Sequence, residues 1–180
     1  LEDYEDMYAE FDKYLAEALV EVEKKAEPFA VEFAKKHWND EMHYFVGAGN
    51  QWGATYSYAM CYWEEQLWLK TKSITSNEFF HGMFEIVTKE TPVTIYIGED
   101  AQRPLSERVA NFIPRICENY TIIDSKDYEL KGISEKYRKH LSHHVMHAVN
   151  NRIDVHMEIE TRHPMDCLLY TSPSPRDRQK

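Results

Sequence analysis

The sequence predicts an α/β domain, a mainly parallel sheet with helices on both faces. Four short β-rich runs, at 43–46, 72–79, 92–98 and 120–124, are separated by segments whose apolar residues recur at helical spacing. Each separation is long enough for the crossover that parallel neighbours require. The first run ends in a glycine turn that opens directly into a helix, the first half of a βαβ unit. With 180 residues, 43% of them hydrophobic, the chain can bury one substantial core.

Residues 3–37 are rich in Glu, Lys and Ala, with Phe11, Tyr14, Leu15, Ala18, Leu19 and Val22 at helical spacing. Pro28 is expected to end that helix and start a second one through Lys36, because proline lacks the amide hydrogen a helix interior uses. His43–Val46 reads as a buried strand, Gly47–Asn50 as a tight loop and Trp52–Lys70 as a long aromatic helix. Strands follow at 72–79 and 92–98, a helix at 105–117, a strand at 120–124, and one long helix or two across 134–160. In such sheets ligands lie beyond the carboxyl ends of the strands, so the loops 47–52, 76–82, 98–104 and 124–128 are the places to search.

Composition narrows the partners. A formal charge of −10, with no cluster of Lys and Arg, argues against a nucleic-acid surface. No run of about 18 apolar residues is present, so no membrane span is expected. Cys61, Cys117 and Cys167 form no CxxC pair, which gives neither a disulfide framework nor a thiolate metal site. No signal peptide is visible, and a cytoplasmic location is the default. Residue 1 is Leu, and the sequence opens inside a helical pattern. At the other end, "CLLYTSPSPRDRQK" has two Ser-Pro steps and no periodicity, and it resembles translated sequencing adapter. Residues 167–180 are therefore set apart as a non-native tail.

Several groups could carry chemistry. Gly47-Ala48-Gly49 continues to Gly53 as G-x-G-x-x-x-G, one residue longer than the dinucleotide fingerprint. The glycines allow a sharp turn, and the helix start behind them could form a backbone anion nest. Glu64 and Glu65 are adjacent in an aromatic helix, where neighbours diverge by about 100°. One of them should point into an apolar environment, where its pKa would rise towards the range of a general base. His81, between Phe80 and Gly82, is either a packed core imidazole or part of a pocket wall. His140/His144 and His143/His147 are i,i+4 pairs at a spacing that can hold zinc, but no HExxH glutamate accompanies them. A polar or inter-subunit helix face is the expectation there, with no metal and no cofactor.

The segment "VGAGNQWGATYSYAMCYWEEQLWLKTKSITSNEFFHGMFEIV" and the later "GEDAQRPLSERV" resemble the second sugar-isomerase (SIS) domain of fructosamine 6-phosphate deglycases. The similarity covers roughly residues 40–165, and Glu-Phe-Phe-His-Gly is its most specific part. The resemblance implies an SIS-type three-layer sandwich over 39–166. It makes 1–38 a helical linker from a first SIS domain. It also implies general acid–base cleavage of a 6-phosphorylated Amadori adduct to glucose 6-phosphate and a free amine. The family's glutamate lies sixteen positions before its histidine, which selects Glu65 as base and His81 as acid, with Glu64 in reserve. Gly49, Asn50, Gln51 and Trp52 are implied to line the substrate site. Asp100 and Arg103 are implied to form a structural ion pair or a subunit contact. A homodimer is the implied assembly. Two other readings stay open: a non-catalytic sugar-phosphate-binding module of a regulator, and an aldose–ketose isomerase or aminotransferase of the glucosamine 6-phosphate synthase type.

Overall fold

The structure, a computed structural model, describes residues 3–166. The proposed foreign tail, Cys167 included, lies outside the described residues. Strands β1 (His43–Gly47), β2 (Thr71–Thr75), β3 (Val93–Ile97) and β4 (Tyr120–Asp124) form one sheet in the order β2-β1-β3-β4. All three pairings are parallel, with Phe45 opposite Ser73 and Thr94, and Ile95 opposite Ile122. From β1 the chain first steps to one side and then crosses to the other. The point where strand order reverses therefore lies between the carboxyl ends of β1 and β3.

Alternation along the strands divides the core in two. On one face Phe45 and Tyr96 pack with Tyr58, Trp63, Val149 and Ile153. On the other, Val46, Val93, Ile95 and Ile97 pack with Phe79, Met83, Val109 and Ile113. The first layer holds α2 (Ala16–His37), α3 (Asn50–Ser57) and α7 (Ser142–Thr161). The second holds α4 (Met83–Ile86) and α5 (Arg103–Phe112). Two short helices complete the set, α1 (Tyr4–Glu10) and α6 (Glu135–Arg138).

Four expectations need correction. First, Pro28 neither ends nor starts a helix. Helical backbone runs from α1 through a π-helical stretch at Phe11–Leu15 into α2, with Pro28 inside and on its exposed side. The buried stripe Ala18, Val22, Ala26, Ala30, Phe33 and Ala34 spans the proline, and its packing on α7 outweighs the single lost hydrogen bond. Second, the helix expected through Lys36 ends one residue later at His37, and that same stripe packs residues 16–37 into this core as one of its layers. Third, the aromatic helix begins at Asn50, continues as a π-helical stretch over Tyr58–Gln66 and stops short of Lys70. It is closed by Trp68 in the left-handed region at φ 59°, while the Leu69 amide donates back to the Trp63 carbonyl at 2.8 Å. Fourth, β2 ends at Thr75, and Glu78–His81 is a 3₁₀ turn.

Two polar pairs cross the first layer. The Tyr96 hydroxyl donates to Asn150 Oδ1 at 3.0 Å, and the Tyr58 hydroxyl donates to Asp154 Oδ1 at 2.7 Å. Burial pushes the Asp154 carboxyl up to about 7. A carboxyl whose folded pKa lies above its unfolded value stabilises the fold fully below about pH 4 and loses that contribution as pH rises through about 7. Asp154→Asn keeps an acceptor for Tyr58 and removes the charge. In urea melts the variant should gain on the wild type as pH rises from about 4 to about 7, by up to about 1.4 kcal/mol per pH unit, and the difference should level off above that; parallel pH profiles would contradict this account of Asp154.

Candidate active site

The crevice at the reversal point is closed by the chain's own charges. Gly49 turns at φ 57°, and a Cβ there would stand 2.3 Å from Asp100 Oδ1, so only glycine fits the approach. The Asn50 amide donates to Asp100 Oδ2 at 2.8 Å, and the Gln102 amide donates to Asp100 Oδ1 at 2.7 Å. The carboxylate of Asp100 thus occupies the anion position at the start of α3. Asn50 Nδ2 donates to the Lys139 carbonyl at 2.9 Å, and buried Gln51 donates through Nε2 to the Ser142 carbonyl at 3.1 Å. Gly49, Asn50 and Gln51 therefore tie this loop to its neighbours. Trp52 is half-buried, its ring 6.0 Å from that of Tyr56.

Asp100 and Arg103 do not pair with each other. Arg103 grips both carboxylate oxygens of Asp124, at 2.9 and 2.5 Å, and donates through Nε to Glu107 at 2.7 Å. Beside it, Arg138 forks onto Glu99 at 2.8 and 2.7 Å. These forks pin the loops after β3 and β4 to the start of the last helical segment.

The expected base and acid lie elsewhere. Glu64 and Glu65 sit in the π-helical stretch Tyr58–Gln66, and both are exposed. Neither enters the apolar environment expected for one of them, because Trp63 and Leu67 take the buried positions of that turn. Glu64 accepts from the Thr71 hydroxyl at 2.6 Å, and Glu65 faces solvent. His81 closes the 3₁₀ turn after β2. Phe79 fills the core there, while His81 is exposed on a shallow groove with Lys72, Ile74, Glu78 and Ile86. His81 is thus no core histidine. Glu65 belongs to the first layer and His81 to the second, with the edge strand β2 between them. The groove that His81 borders does not include Glu65.

Among the described residues, His140, which precedes α7, and His143, His144 and His147 within it form no metal-sized cluster. His140 and His147 are exposed, and His143 and His144 are half-buried, their ring centroids 4.0 Å apart. Burial lowers the pKa of both His143 and His144. A different group does converge: His37 Nδ1 and His43 Nδ1 lie 2.7 and 2.8 Å from one Asp40 oxygen, and His43 Nε2 lies 2.8 Å from the Thr94 hydroxyl. Sequence reasoning missed this H-x-x-D-x-x-H spacing because it bridges a helix end and a strand start, where neither period applies.

Asp100→Ala should cost about 1–2 kcal/mol in a thermal melt by leaving the α3 amide unpaired. It should also vacate an anion position, so inorganic phosphate should stabilise the variant more than the wild type. Equal phosphate responses would show that Asp100 does not fill that position.

No family model matches the chain. It is 30% identical over 141 residues to the fructosamine deglycase FrlB of Bacillus subtilis, across 78% of this chain and 43% of that protein. It is 34% identical over 83 residues to the fructoselysine 6-phosphate deglycase of Escherichia coli K12, across 46% of this chain and 24% of that one. A solved structure from Bacillus subtilis, assigned as a phosphosugar isomerase, superposes with a TM-score of 0.83 at 29% identity, across 87% of this chain and 48% of that one. The chain spans less than half the length of these relatives. The chain therefore has an SIS-type α/β fold like that of the solved phosphosugar isomerase, and in sequence it is similar to the fructosamine deglycases.

Proposed function

We propose that the protein containing this domain is a deglycase of the cytoplasm. It cleaves a 6-phosphorylated fructosamine to glucose 6-phosphate and a free amine or amino acid, by general acid–base catalysis. The observation that carries this reading is the likeness to fructosamine deglycases, which includes the stretch holding Glu65 and His81. In this reading His81 donates a proton to help open the sugar ring and then polarises the C2 oxygen. Glu65 removes a proton from C1, giving a 1,2-enaminol, and the proton returns at C2. Water then divides the resulting imine into the aldehyde and the amine. Positioned groups of this kind contribute roughly 10²–10⁴-fold each.

Solvent-facing positions suit groups that meet a substrate. A π-helical stretch, of the kind that holds Glu65, often marks functional sites. Because the edge strand separates Glu65 from His81 within a chain, a site that uses both draws them from two copies in a homodimer. Asp100 fills the anion position at α3, so the sugar's phosphate is held outside this loop. The test is a coupled assay for glucose 6-phosphate release from a panel of 6-phosphorylated Amadori compounds, using the full reading frame. Release from at least one adduct is expected, and Glu65→Gln should lower turnover by about 10²–10⁴-fold. Unchanged turnover in that variant would remove Glu65 as the base.

A further inference from the structure

We propose that His37, Asp40 and His43 form a binding site for a divalent transition metal of the zinc type. His37 ends α2, Asp40 lies in the connection and His43 opens β1, so three consecutive parts of the chain deliver one ligand each. One ring nitrogen of each histidine and an Asp40 oxygen all lie within 4.8 Å of one another. The side chains of His37 and His43 are 1% and 0% exposed, and that of Asp40 is 14% exposed. Among the described residues, Asp40 has no lysine or arginine in an ion pair, and its partners are the two imidazoles. A carboxylate taken so far out of water calls for a cation beside it.

The surroundings hold the ligands in place. The ring of Phe33 lies 4.6 Å from His37 and 5.8 Å from His43, and Phe45 and Trp63 stand 4.6 and 4.7 Å from His43. Thr94, on the neighbouring strand, hydrogen-bonds the far nitrogen of His43 and so fixes the orientation of its ring. Asp40 also borders a solvent-open groove with Tyr44, Lys70 and Thr91, which supplies an entry path and room for a water ligand. Two imidazole nitrogens and one carboxylate select zinc, cobalt or nickel over magnesium or calcium, which take oxygen ligands. In a tetrahedral site, with bonds of about 2.0–2.1 Å, ligand atoms stand roughly 3.4 Å apart. The observed 2.7 and 2.8 Å contacts would open by about 0.6 Å as the metal replaces the two hydrogen-bonding protons. Each imidazole then carries its proton on Nε2, and at His43 the Thr94 hydroxyl becomes the acceptor.

Cobalt(II) is the probe. Titrated into the purified protein, it should give the visible absorption of a four-coordinate ion at one equivalent, be displaced by zinc, and raise the melting temperature. Asp40→Asn, which preserves shape and one acceptor, should weaken cobalt binding by more than the roughly 10–100-fold that outer-shell changes cost. A His140→Gln/His147→Gln double variant, altered on the exposed face of the other histidine group, should bind as the wild type does. Absence of a one-equivalent cobalt signal in the wild type would overturn the proposal. So would a signal that survives Asp40→Asn and disappears in the double variant.

Discussion

All three strand pairings are parallel, so each connection must carry the chain from the carboxyl end of one strand back to the amino end of the next. That requirement sends helical segments to both faces and decides where each functional side chain can stand. The helix after β1 descends one face and delivers Glu64 and Glu65 next to the start of β2, where Glu64 meets Thr71. The segment after β2 turns onto the other face and presents His81 beside Lys72 and Ile74. An edge strand only five residues long therefore stands between the two groups that the deglycase reading needs together. The proposal that the site is shared between two copies follows from that separation.

The same topology makes the crevice between β1 and β3 the usual place for a ligand, yet here the protein fills it. Asp100 accepts from two loop amides, Gln51 reaches the Ser142 carbonyl, and the two arginine forks fix the loops after β3 and β4. The Gln51 link and the arginine forks satisfy groups that burial would otherwise leave unpaired. The crevice is thereby a structural joint between the sheet and α7.

Much of the architecture was legible in the sequence, because β-branched runs separated by amphipathic segments admit few arrangements. Three of the four strands came close to their observed limits, and the second was read four residues too long. The helix boundaries did not. Pro28 is a strong local stop signal, but a continuous stripe of small and apolar residues packed on α7 overrides it. Trp68 closes its helix in a left-handed conformation for which tryptophan gives no cue. Glu64 and Glu65 could be singled out as candidates by residue type and spacing, whereas their exposure could not be read, since it depends on Trp63 and Leu67 taking the inward positions. The filling of the α3 anion position depends on Asp100, fifty residues away, and spacing rules contain no such long-range partner.

The central claim is that Glu65 and His81 act in one site but come from two chains. Mixing the inactive Glu65→Gln and His81→Asn proteins, after dissociation and reassociation, tests it most directly. A shared site predicts that hybrid dimers regain a measurable fraction of wild-type glucose 6-phosphate release, because one of their two sites pairs an intact Glu65 with an intact His81. If the hybrids form and stay as inactive as either parent, the two residues do not meet across an interface, and the account of this site is wrong.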